Sequence, residues 1–115
     1  MPVTIYHNPR CTKSRQTLAL LEQHGIKPKV IEYLVTPPTE AELKQLLKLL
    51  GMAPRELLRN KEAEYKQAKL DRPDATDAEI VRAMVKYPRL IERPIVVSDN
   101  KAALGRPPEN VLKII

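Results

Sequence analysis

The chain reads as a small α/β protein: a mixed four-stranded sheet flanked by helices, with a helical insertion between a βαβ half and a ββα half. Three observations lead there. Strand-like runs come in two pairs, "VTIYH" and "KVIEYL" near the start, "RPIVV" and "KAAL" near the end. A helical pattern with a glycine stop separates the first pair, whereas only "SDN" separates the second. The middle of the chain carries helix signals and no strand run.

Each element has a local reason. "VTIYH" is short, β-branched and aromatic, the pattern of a strand buried on both faces. Asn8-Pro9 then signals a turn. From Thr12 a helix carries Leu18 and Leu21 on one face and stops at Gly25, where a left-handed cap costs glycine nothing. Cys11 therefore falls at a helix N-terminus. Residues 29–34 form the second strand, and because the helix between supplies a crossover, the two strands should run parallel. Thr39 with Glu42 fits a capping box, opening a helix with Leu43, Leu46, Leu47 and Leu50 inward and Gly51 at its end. Short helical pieces follow in "APRELLRNKEAEYKQAKL". A second capping box, Thr76 with Glu79, opens a helix with Ile80, Val81, Met84 and Val85 inward that ends before Pro88. "RPIVV" is a strand introduced by proline, "KAAL" a weaker one, and a last helix with Val111, Leu112 and Ile115 follows Pro107-Pro108. The order is consistent with a thioredoxin-like layout in which the middle helices are an insertion; another small α/β sandwich is the competing arrangement.

Size and composition bound the function. With 115 residues and 13.1 kDa a single domain is expected, and with no Phe or Trp its core must come from Leu, Ile, Val, Ala and Met plus four Tyr. No apolar run approaches the roughly 20 residues of a membrane helix, and no signal-type stretch opens the chain, so a cytoplasmic protein without membrane contact is expected. The formal charge is +6, which suits a nucleic acid, an acidic partner or an anionic substrate. Nucleic acid is the least favoured, because the basic residues are interspersed with acids and neither an RNA-binding aromatic signature nor zinc-finger spacing occurs. One cysteine cannot form an internal disulfide, and with only His7 and His24 beside it no zinc quartet exists.

The chemistry centres on "YHNPRCTKSRQT". A helix N-terminus lowers a thiol pKa, and His7, Arg10, Lys13 and Arg15 add an electropositive setting, so Cys11 reads as a nucleophile. The other reading is a small buried hydrophobe, against which stands the polar run around it. Ser14 occupies the place of the resolving cysteine in a C-x-x-C motif, so a redox cycle through Cys11 needs an outside thiol. Ser14 either donates to the sulfur or to a bound anion, or satisfies the first helical turn. His7 either pairs with Cys11 or ends the first strand. Arg59, Arg93 and Arg106 stand at the borders of apolar runs, where each is an oxyanion ligand or a solvated surface side chain.

Together "IYHNPRCTKSRQTL", "YLVTPPT", "LLRNK", "RPIVV" and "LGRPPE" resemble the glutaredoxin-coupled arsenate reductase family, which is thioredoxin-like, over essentially all 115 residues. The resemblance implies that residues 1–115 form a single arsenate reductase domain in which Cys11 is the nucleophile and His7 and Ser14 assist its thiolate. It also implies that Arg59, Arg93 and Arg106 hold the oxyanion and that the bond before Pro94 is cis. The implied reaction reduces arsenate, or a similar oxyanion, to arsenite. No bound cofactor or metal is implied; glutathione is the co-substrate and glutaredoxin the partner that resolves the mixed disulfide. Two other functions remain open, a general glutathione-dependent thiol oxidoreductase and a redox-related binding or regulatory module. Family relatives that act on RNA polymerase carry a C-x-x-C switch, which Ser14 precludes here.

Overall fold

The computed structural model describes residues 2–115, and its four strands form one sheet in the order β2-β1-β3-β4. The central strand β1 spans Val3–His7 and β2 spans Lys29–Glu32. They run parallel, with Thr4 opposite Lys29, as expected when α1 (Thr12–Gln23) supplies the crossover. On the other side β3 (Ile95–Ser98) lies antiparallel to β1, Val3 opposite Ser98, and β4 (Lys101–Leu104) pairs antiparallel with β3 at the far edge. Strand order and directions agree with the thioredoxin-like layout, and the middle helices are the insertion.

The residues sort into two compact units. The first joins the chain up to Thr36 to Arg93–Ile115, and the second is Pro37–Glu92. In the first, Val3, Ile5, Leu21, Val96 and Val111 form the buried cluster, with Leu18, Leu20, Ile26, Ala103, Ile114 and Ile115 packed against it. Burying each large aliphatic side chain contributes about 1.5–3 kcal/mol. The second unit contains α2 (Glu40–Leu50), α3 (Pro54–Leu57), α4 (Ala63–Gln67), α5 (Asp77–Lys86) and a 3₁₀ turn at Pro88–Leu90. Leu43, Leu57, Leu70, Ile80, Met84 and Leu90 are fully buried there.

Several local expectations need correction. β1 alternates instead of burying both faces: Val3, Ile5 and His7 are buried, Thr4 and Tyr6 only partly. β2 ends at Glu32, not at residue 34, because the Glu32 carbonyl turns the chain by accepting from the N–H groups of Val35 and Thr36. Leu34 and Val35, beyond that turn, are exposed, and so is Val30 within the strand. The last helical segment, Pro108–Lys113, is 3₁₀ and not α. The Thr39–Glu42 capping box is complete in both directions. At Thr76 the box is incomplete: Thr76 Oγ1 accepts from the Glu79 N–H, while the Glu79 carboxylate accepts from the Thr76 hydroxyl and not from its backbone N–H, and pairs with Arg72. Among the described residues no helix is long and apolar enough to cross a membrane.

Candidate active site

The site is built on the junction of β1 and α1. Cys11 is the N-cap of α1, in extended conformation. The turn that carries it is braced by Asn8. The Asn8 carbonyl accepts from the Cys11 N–H at 3.0 Å, and its side-chain Oδ1 accepts from the Arg10 N–H at 3.0 Å. Arg15 reaches back over the same turn, donating to the Pro9 carbonyl at 2.9 Å and to Thr12 Oγ1 at 3.3 Å. Of the cations close to Cys11 in sequence, Arg15 thus acts on the loop itself.

Cys11 is buried, with 8% of its surface exposed, and hydrogen-bond donors face its sulfur. Burial pushes its thiol up. Against this act the Ser14 N–H, the Arg93 guanidinium as hydrogen-bond donor and as charge, and the Lys13 N–H, and the net shift is below the ordinary thiol value. The long-range cation therefore does what the sequence assigned to the nearby ones. Arg106 adds a second guanidinium: its Nη2 lies 3.8 Å from Cys11 Sγ, and its Nε donates to the Arg93 carbonyl at 2.8 Å.

His7 and Ser14 meet each other directly. Ser14 Oγ lies 2.6 Å from His7 Nδ1 and also accepts the Asn8 N–H at 3.0 Å. The hydroxyl is thereby committed, and what Ser14 offers the sulfur is its backbone N–H. Burial holds His7 below the ordinary imidazole value; Glu32 opposes that shift and Arg15 adds to it. Buried His7 fixes the Ser14 rotamer at the base of the first helical turn.

The peptide bonds before Pro94 and Pro107 are both cis, the first as expected and the second unforeseen. Gly105 sits between these segments. Its N–H donates to the Pro94 carbonyl at 2.9 Å, and a side chain there would overlap Thr17 Oγ1 and lie 2.8 Å from Pro94 Cγ. Thr17 itself is fully buried and donates to the Lys13 carbonyl at 2.8 Å. Asn8, Thr17 and Gly105 were not singled out from sequence. Asn8 carried a signal in its Asn-Pro turn, and Gly105 in standing just before Arg106-Pro107; Thr17 carried none.

The structure thus brings Cys11, Ser14, His7, Arg93, Pro94 and Arg106 together in one unit. Arg59 belongs to the other unit. There its Nη1 is 2.6 Å from Glu92 Oε1 and its Nε 3.5 Å from Glu62 Oε1, and its N–H donates to the Leu90 carbonyl at 2.7 Å. Among the described residues no cluster of three His, Cys, Asp or Glu side chains is arranged to hold a metal ion.

Comparison with known proteins gives concordant results. Residues 6–114 match the model of the ArsC family. The uncharacterized protein YfgD of Escherichia coli K12 is 53% identical over 114 residues, covering 98% of this chain and 96% of that protein. An arsenate reductase of Haemophilus influenzae is 47% identical over 116 residues, covering 100% of both. The solved structure of an arsenate reductase from Vibrio cholerae superposes with a TM-score of 0.97 at 52% identity, covering 100% of this chain and 98% of that one.

Proposed function

Because the chain belongs to the ArsC family, we propose that it reduces arsenate to arsenite through Cys11, with glutathione and glutaredoxin supplying the electrons. The observation that carries this reading is the pairing of one thiol, lowered in pKa at a helix N-cap, with the guanidinium groups of Arg93 and Arg106. The thiolate attacks arsenic(V) and a water is lost, forming a sulfur–arsenic bond. Glutathione then joins Cys11 in a mixed disulfide, and the electron pair released by linking two thiols takes arsenic to the trivalent state. Since the chain has no second cysteine, an outside thiol must return Cys11 to the thiol, the role this reading gives to glutaredoxin.

Arg93 and Arg106 suit the oxyanion because a planar fork of donors, aimed where negative charge gathers, stabilises it without reorganisation. Ser14 and Lys13 aid the thiolate through their amides, and His7 acts through Ser14. Arg59 is proposed as a third ligand on its "LLRNK" motif alone. The family match over residues 6–114 spans both compact units and supports treating residues 1–115 as one functional domain, which we place in the cytoplasm.

The test is an NADPH-coupled assay with arsenate, glutathione, glutathione reductase and glutaredoxin. Wild type should turn over, and Cys11→Ser should not. Arg93→Lys and Arg106→Lys keep the charge but lose the fork, and each should lower kcat/KM for arsenate roughly thirtyfold, the equivalent of about 2 kcal/mol. A second reading, a general thiol oxidoreductase acting on neutral disulfides, is favoured by the pairing of Arg59 with Glu92 and Glu62. If all three lysine variants, Arg59→Lys included, match wild type on arsenate, that second reading replaces the first.

A further inference from the structure

A groove of about 390 Å³ runs along α1 beside the Pro107–Pro108 turn. We propose that it is the binding site for the body of the reducing thiol, a short zwitterionic peptide of the glutathione type. The proposal rests on the functional reading above and specifies where its second substrate lies.

Position is the first argument. Lys13, at one end of the groove, is two residues beyond Cys11 and turns its N–H toward the sulfur. Pro107, on the facing wall, directly follows Arg106, whose Nη2 is 3.8 Å from Sγ. A ligand in the groove therefore begins beside the nucleophile. Size is the second argument, since the volume falls in the range of small-molecule sites, about 300–1,000 Å³.

The lining chemistry is the third. Half-buried Leu20 and buried Pro108 make an apolar floor. Around it stand the exposed side chains of Lys13, Gln16, Gln23 and Glu109, and among the described residues none of the four side-chain ends meets a hydrogen-bond or ion-pair partner. Lys13 offers a cation for a carboxylate and Glu109 an anion for an ammonium group. The two glutamines each donate and accept, as a peptide amide requires. Gln16 and Gln23 are seven positions apart on one helical face, a rise of about 10 Å. Three extended residues span about the same distance. A single-charge ligand would leave one end unmatched, and a long polypeptide would overrun the groove.

The test is a titration of the full-length protein, uniformly ¹⁵N-labelled, with S-methylglutathione, which cannot form a disulfide. Saturable shifts of the backbone amides in residues 13–23 and 106–110 are expected. Glu109→Lys, and separately the double variant Gln16→Ala/Gln23→Ala, should weaken binding about threefold to fivefold, the scale of exposed polar and charged contacts. N-acetylated S-methylglutathione, which lacks the ammonium group, should bind wild type as weakly as Glu109→Lys does and lose nothing further in that variant. No saturable shift, or shifts confined to β2 or to the second unit, would overturn the proposal. Binding in the groove by a protein that reduces no arsenate would sustain the groove and remove arsenate as substrate. Arsenate turnover without shifts in the groove would do the reverse.

Discussion

At Cys11 burial and hydrogen bonding act in opposite directions on one atom, and the donors win. Arg93 supplies both a hydrogen bond and a charge, so Arg93→Gln should raise the thiol pKa toward the ordinary range, as read from the ultraviolet absorbance of the thiolate against pH with Cys11→Ser as blank. The same shift predicts a pH dependence of stability. An unfolded chain keeps the thiol proton up to about 8.5, while the folded chain releases it sooner. Between the two values the unfolded state binds more protons, so the stabilisation is fully present above about 8.5 and is lost as pH falls through the lowered folded value. Cys11→Ser should flatten this limb of a denaturant-midpoint profile. His7 acts in the same sense at lower pH: its folded value is depressed, so stability declines as pH drops below about 6.5. From sequence, Cys11 was legible because its type and place at a helix start carry their own chemistry. The cation that matters was not, since Arg93 reaches the thiol through the fold while Arg15 is spent on the loop. Ser14 was named for its hydroxyl, yet a hydroxyl 2.6 Å from His7 is already engaged, and only coordinates reveal that the amide is the useful group.

Among the elements, the contact of Gly105 with α1 decides where two arginines end up. The overlap that a methyl group would make falls on a fully buried threonine and a proline ring, neither of which can swing aside. Gly105→Ala should therefore cost about 1–3 kcal/mol by urea unfolding, and adding Thr17→Ala should recover part of it. A second element-scale prediction concerns α2. Its capping box satisfies donors in both directions, so Thr39→Ala should lower stability by about 1 kcal/mol. That box, Gly51 at the helix end and the parallel β1–β2 pair follow from local spacing and were readable in advance. Two segments were misread. β2 stops early because Glu32 accepts two turn hydrogen bonds, and Pro108–Lys113 winds as 3₁₀ where Val111, Leu112 and Ile115 fit an α-helical stripe equally well. At Pro108–Lys113 apolar spacing does not distinguish i+3 from i+4 hydrogen bonding over one or two turns, and in β2 it marks neither the turn at Glu32 nor the exposure of Val30 and Leu34.

For the molecule as a whole, a formal charge of +6 should draw in anions and leave neutral substrates indifferent. If the substrate is an oxyanion, kcat/KM for arsenate should fall as ionic strength rises from about 0.01 to 0.5 M, where the Debye length shrinks from about 30 Å to a few ångströms. Reduction of a neutral disulfide measured in parallel should change much less. The sheet and its strand order were legible because four short apolar runs in two pairs leave few ways to connect them. The helical insertion was legible too, but not that Pro37–Glu92 forms a compact unit of its own, since apolar spacing shows which faces are buried and not which other elements they pack on.

The first unit is assembled from both ends of the chain, with β1 completed on one side only when Val3 meets Ser98. During synthesis a nascent chain extended as far as Glu92 holds every residue of the second unit, but neither Arg93 nor Arg106 nor the strand that flanks β1. Its α1, at 12 residues, is marginal as an isolated helix, so the amides of Lys13 and Ser14 are not yet held against the sulfur. Until that later segment is added Cys11 accordingly lacks the donors that lower its thiol. Its reactivity switches on only once the segment carrying Arg93 and Arg106 has joined β1 and α1.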